Sequence, residues 1–191
     1  MLIQVVHCHP LVESFDHALF RTIVATLKQN GHKVVATDLY REEFQPAMTE
    51  QERQTYMGMS YDTTAVAHYA KTLKEVEGLI LCFPHWWFSM PAMLKGWVDR
   101  VWNNGWAYGD TTLPHRKALL IGTASGGAAT YDKRQYGPAM QAQLVVGIMN
   151  YCGIPAAELE LMFDVMDTPE IRAGHLARAG KLGEAFAVAS A

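Results

Sequence analysis

Short apolar runs recur along the chain, and the segments between them carry apolar residues at helical spacing. Leu2–His7 ("LIQVVH") is rich in β-branched residues and predicts a buried strand. From Phe15 to Gln29, Leu19, Ile23, Val24 and Leu27 repeat with the helical period, and Asn30–Gly31 supplies a stop. Lys33–Leu39 predicts a second strand. Arg41–Tyr61 is polar and mixed, an excursion with one short helix at "TEQERQTYM". Asp62–Glu77 predicts a helix with Val66, Tyr69, Ala70 and Leu73 inward, and Gly78–Phe83 a third strand. Pro91–Val101 predicts a helix with Pro91 in its first turn. Lys117–Thr123 predicts a fourth strand, Pro138–Cys152 a helix, Glu158–Phe163 a weaker fifth strand and Pro169–Ala189 a closing helix.

This alternation is that of one α/β domain spanning residues 1–191, a parallel sheet with helices on both faces. The first, third and fourth strands are the most apolar and belong in the middle. The order 2-1-3-4-5 follows, a flavodoxin-like three-layer sandwich, with ligands expected beyond the carboxyl ends of strands 1, 3 and 4. Three loops occupy those ends: Cys8–Phe15, Pro84–Met90 and Thr123–Gln135.

Composition narrows the class. The 191 residues are 50% hydrophobic with a net charge of −3, too near neutral for a nucleic-acid footprint. No apolar run approaches the roughly 20 residues of a membrane span. "MLIQVVHCHP" lacks the basic start and small-residue cleavage site of a secretory signal. Cys8, Cys82 and Cys152 are odd in number and without CxxC spacing. A reduced, cytoplasmic setting is the expectation.

The loops carry the unusual chemistry. In "HCHPLVESFD", Ser14 and Asp16 stand where a helix opens, so its free N–H groups suit a phosphate; each residue also reads as a simple N-cap. His9 adds a possible hydrogen bond. His7, Cys8 and His9 invite a metal reading, but no further ligand spacing accompanies them, and no metal is expected. Trp87 and Phe88 follow the end of a strand, where a flat apolar platform suits a planar ring such as isoalloxazine. Trp97 and Trp102 read as core packing or an interface. Gly126–Gly127 let backbone N–H groups approach a ligand, or simply turn the chain. Tyr131 or Tyr136 can add a hydroxyl.

"HPLVESFD", "DLYREEFQP", "FPHWWFSMPAMLKGWVDRVW", "GWAYG" and "TASGGAATY" together resemble the NAD(P)H:quinone oxidoreductases, over nearly the whole chain. The resemblance implies a flavin (FMN or FAD), NAD(P)H as electron donor and a quinone acceptor. It implies ping-pong hydride transfer that extends to nitroaromatic or azo compounds. Carried over by position, His9, Ser14, Phe15 and Asp16 hold the flavin phosphate, and Pro84, His85, Trp86, Trp87 and Phe88 hold the isoalloxazine. Thr123, Ala124, Gly126 and Gly127 face its pyrimidine edge, with Tyr131 near O2 and Arg172 near the distal cofactor. Tyr108, with Trp106, lines a substrate pocket shared across a homodimer. Two departures stand out: Tyr136 replaces a histidine of the larger family members, and Gly105 an acidic residue. Both lean to the small bacterial branch. Some members of that branch are ancillary to glutathione-gated potassium efflux, so a cytosolic regulatory subunit bound to a membrane potassium-efflux protein is the alternative role.

Overall fold

The apolar runs become five parallel strands, β1 (Leu2–His7), β2 (Lys33–Asp38), β3 (Gly78–Pro84), β4 (Lys117–Thr123) and β5 (Ala156–Met162). Their order is β2-β1-β3-β4-β5, as predicted. The structure is a computed structural model of the chain and describes residues 1–56 and 62–187. The end of the polar excursion, residues 57–61, and the tail of the closing helix beyond Ala187 lie outside the described residues.

Strand alternation sends side chains to two helical layers. Ile3, Val5, Ile80, Cys82, Leu119 and Ile121 pack against Leu19, Ile23 and Leu27 of α1 (Phe15–Gln29) and Ala179 and Phe186 of α7 (Pro169–Ala187). Val6, Leu79, Leu81, Phe83 and Leu120 pack on the opposite face. There they meet Tyr69 and Leu73 of α3 (Ala67–Glu75), Leu94 and Trp97 of α4 (Ala92–Val101), and Met140 of α6 (Tyr136–Met140). β3 and β4 are buried along their whole length, and β5 at the edge is only partly so.

Three expectations are corrected. Pro91 is the N-cap of α4, in extended conformation, rather than a first-turn residue. The predicted helix over Asp62–Glu77 begins as a 3₁₀ turn, Thr64–Val66, before α3. The segment Thr123–Gln135, expected as a loop, folds into a helix, α5 (Ala128–Arg134). Left-handed Gln135 (φ 56°) separates it from α6, which runs on as a π-helical stretch, Gln141–Asn150. Trp97 is fully buried and Trp102 is 3% exposed, edge to face at 5.9 Å. These two tryptophans belong to the core of this chain.

α2 (Glu50–Thr55) is anchored from within. Thr49 and Glu52 form a capping box, and the buried Glu52 carboxylate accepts from Arg100 Nη2 at 2.7 Å and Nε at 2.9 Å. Burial pushes the Glu52 carboxyl upward, but Arg100 and Thr49 outweigh it and hold it below the usual value. Arg100 also donates to the Gln45 carbonyl.

His115, just before β4, is 2% exposed, and neither ring nitrogen has a partner among the described residues. Burial pushes its imidazole down to about 4. Between pH 6.5 and 4 the unfolded chain takes up a proton that folded His115 refuses, so its stability contribution is full above 6.5 and falls with pH. The loss reaches roughly 3 kcal/mol. Tm followed from neutral pH to pH 4 should therefore fall less steeply in His115→Gln than in the parent chain. Equal slopes would contradict the assignment.

Candidate active site

The carboxyl edge of the sheet brings the three loops together through strand register. His7 lies beside Cys82, Pro84 beside Thr123, and Thr123 beside Met162. At the end of β1, Ser14 caps α1, its Oγ accepting from the His17 N–H at 3.1 Å. The cap leaves first-turn amides with no helical acceptor, at the positive end of a fifteen-residue helix. Phe15 is half-buried next to α7, its ring 6.4 Å from His175. His9 Nδ1 accepts from the Leu11 N–H at 3.1 Å, and its ring stands 5.9 Å from Trp86. Asp16 departs from expectation. It is 5% exposed, and its carboxylate accepts the Thr123 hydroxyl at 2.9 and 3.0 Å. Burial raises its carboxyl to about 6 against the pull of that hydrogen bond. The Asp16 side chain therefore ties α1 to β4.

After β3, the His85 N–H continues the ladder to the Thr123 carbonyl at 2.8 Å. Its ring lies on Gly122, where a Cβ would fall 1.5 Å from His85 Nε2. Both ring nitrogens lack partners among the described residues, and burial pushes the imidazole down to about 4, so it is neutral. Trp86 and Ser89 then pair across a tight turn whose central residues, Trp87 (φ 54°) and Phe88 (φ 59°), are both left-handed. Bulky residues rarely adopt this conformation, and such strain concentrates at functional sites. The turn drives Trp87 outward to 92% exposure, beside Trp86 at 43%. Phe88 turns back instead and stacks on Tyr136, centroids 3.6 Å apart. The open platform is thus Trp86–Trp87, and Phe88 is covered by Tyr136.

In the third loop, the Ala124 N–H is committed to the Met162 carbonyl at 2.8 Å. Gly127 is the N-cap of α5, and a Cβ on it would meet Asp164 Oδ1 at 2.8 Å. None of the N–H groups of Trp87, Phe88, Ser125, Gly126 and Gly127 donates to another described residue. Tyr131 is buried between Phe88, Tyr136 and Phe163, and this burial raises its phenol.

Arg172, in the first turn of α7, donates to the carbonyl of Val165 at 3.4 Å, and the Val165 N–H donates to the Ala124 carbonyl at 3.2 Å, so Arg172 stands at this edge. Trp106 lies under the Lys74 ammonium, 4.5 Å from its ring centroid. Tyr108 shares a 2.8 Å hydroxyl contact with Tyr56 and borders an open groove of about 320 Å³ with Trp102, Gly147, Ile148 and Tyr151. Among the described residues, no hydrogen bond or ring contact joins Trp106 or Tyr108 to the three loops. Gly105 has φ 87°, in the left-handed region that favours glycine. Tyr56 and Asp164 escaped the sequence reading. Tyr56 is one more polar-helix residue, and Asp164 shows its place only through its left-handed backbone (φ 57°) behind Gly127.

A protein-family model described as Flavodoxin-like fold matches residues 1–182. The chain is 32% identical over 178 residues to the uncharacterized NAD(P)H oxidoreductase YcaK of Escherichia coli (strain K12), covering 91% of this chain and 90% of that one. It is 28% identical over 190 residues to NAD(P)H dehydrogenase [quinone] 1 of Rattus norvegicus, covering 86% and 69%. Among solved structures, an NAD(P)H:quinone oxidoreductase from Methanothermobacter marburgensis superposes with a TM-score of 0.91 over 100% of this chain and 99% of that one, at 22% identity. At that identity the likeness speaks to fold alone.

Proposed function

Because the chain belongs to the flavodoxin-like NAD(P)H:quinone oxidoreductase family, we propose that it is a flavoenzyme passing reducing equivalents from NAD(P)H to quinones, with nitroaromatic or azo compounds as further acceptors. The observation that carries this reading is the strained turn that exposes Trp86 and Trp87 at the switch point of the sheet. It stands next to loop amides with no acceptor in the described chain.

The residues fit a flavin, FMN or FAD. The Ser14-capped start of α1 offers N–H groups and a positive dipole end to the phosphate without spending a basic side chain. The Trp86–Trp87 platform takes one face of the ring, and the Gly126–Gly127 amides suit its electron-rich edge. Bound there, the flavin supplies the hydride chemistry, while the protein supplies orientation and electrostatics. His85 is neutral and buried, so its part is to shape the floor behind the ring rather than to carry charge. Tyr131 and Tyr136 bring phenols to the same edge. A phenol is in general a weaker acid than an imidazolium, so charge stabilisation falls mainly on the backbone amides.

Tyr108 and Trp106 enter the site in a homodimer. The groove beside Tyr108, flanked by exposed Tyr151 and Val146, is the face proposed to meet a second copy. Donor and acceptor would then use one apolar slot in turn, a slot of low selectivity. Initial rates with NADH or NADPH varied against a quinone should give parallel double-reciprocal lines; intersecting lines contradict the shared slot. Turnover by the purified chain alone also separates this reading from that of a regulatory subunit of a potassium-efflux protein.

Trp87→Gly tests the platform with two opposed readouts. Glycine relieves the left-handed strain and should raise stability slightly, by up to about 1 kcal/mol. Loss of the indole should weaken flavin binding about tenfold. Unchanged flavin affinity, measured by fluorescence quenching, means that the indole does not meet the ring.

A further inference from the structure

On the α1 face of the sheet, at the ends of β1 and β2, sits a cluster that the redox site does not use. The β1–β2 register sets His7 directly beside Asp38, so both side chains leave the sheet on the same face. Over them stands His17 from the first turn of α1, its ring 5.1 Å from that of His7. One potential ligand atom from each of His7, His17 and Asp38 lies within 4.8 Å of the others.

Three observations mark this cluster as built to receive something. His7 is fully buried with neither ring nitrogen hydrogen-bonded, a costly state for a polar ring. His17 Nδ1 is also buried without a hydrogen bond, 3.9 Å from Asp38 Oδ2. Asp38 is held from behind. Its Oδ1 accepts the N–H groups of Tyr40 and Arg41 at 3.2 Å each, which leaves Oδ2 toward the two imidazoles. Phe20 walls the cluster, stacked on His7 at 5.0 Å.

We infer that His7, His17 and Asp38 form a binding site for one divalent transition-metal ion of the zinc class, with a fourth position open to water. Two imidazoles and one carboxylate are a zinc donor set, and a hard oxygen-seeking ion such as magnesium would not choose it. Tetrahedral bonds of about 2.0–2.1 Å bring donor atoms to about 3.3 Å from one another. The atoms must therefore close by up to about 1.5 Å, and His17 Nδ1 and Asp38 Oδ2, 3.9 Å apart, by about 0.6 Å. His17 and Asp38 have that freedom, with side chains 21% and 14% exposed. The ion would clamp the ends of β1 and β2 to the first turn of α1. The His17 N–H is already bonded to Ser14 Oγ, so the clamp reaches the cap of α1. The three ligands are far apart in sequence, so no ligand-spacing motif announces them.

The test is calorimetric titration of the EDTA-treated, full-length protein with ZnCl2. One equivalent per chain is expected. His17→Ala and Asp38→Asn should each weaken binding about tenfold or more; asparagine keeps the Tyr40 and Arg41 acceptor and so spares the turn. His68→Ala, exposed on α3, should leave binding unchanged. Co²⁺ added to the unmutated protein gives a reading that does not depend on any variant folding. Intense d–d bands of a four- or five-coordinate ion support the site, and the pale spectrum of an octahedral ion overturns it. Absence of a stoichiometric zinc event, or binding that survives both ligand substitutions, equally overturns it. None of these outcomes depends on the flavin or on turnover.

Discussion

Gly122→Ala should cripple the molecule although it adds one methyl group. The new Cβ would lie 1.5 Å from His85 Nε2 and 2.3 Å from two ring carbons, on a buried strand with no room to yield. The imidazole must leave its seat and take with it the corner that starts the Trp86–Ser89 turn. A cost of about 3 kcal/mol is expected from overpacking, along with at least a tenfold loss of flavin affinity. A double-mutant cycle isolates the cause. In a His85→Ala background the methyl group meets no ring, so Gly122→Ala should become nearly neutral in thermal melts. An equally large penalty in that background would mean that the glycine serves the strand itself and not the histidine.

Glu52→Ala carries the second large effect. Arg100 is 4% exposed and forms a buried ion pair with the Glu52 carboxylate. Truncating one member of a buried ion pair leaves the other charge in a poor solvent, at a cost of about 3–5 kcal/mol. The same change removes half of the capping box of α2. Since Tyr56 follows that helix and pairs with Tyr108, the Tyr108 groove should loosen as well. Denaturant melts give the stability term, and limited proteolysis near α2 gives the local one. A loss below about 1 kcal/mol would show that the remaining partners of Arg100, the Gln45 carbonyl among them, satisfy it.

Apolar periodicity was enough to recover the strand order and most element limits, because β1, β3 and β4 are buried on both faces and tolerate few polar residues. It failed where local chemistry ruled. Gly126–Gly127 reads as a loop, yet the alanines and polar residues that follow close α5, a helix with little apolar periodicity to reveal it. Candidate-site residues were legible as types but not as orientations. Trp87 and Phe88 are adjacent aromatics in sequence; only the paired left-handed backbone explains why one points to solvent and the other stacks on Tyr136. Asp16 has the residue type of a cap, but strand register places Thr123 within its reach and draws it inside. His7, His17 and Asp38 meet through β1–β2 pairing and helix placement, which no local window of sequence encodes.

The measurement that reaches the central claim most directly is an anaerobic visible spectrum of the purified, flavin-reconstituted protein. The flavin is first released by heat and identified as FMN or FAD. NADH or NADPH should bleach the bound flavin, and a quinone added next should restore its colour without oxygen. A protein that retains neither flavin, or a bound flavin that NAD(P)H leaves unbleached, would contradict the account.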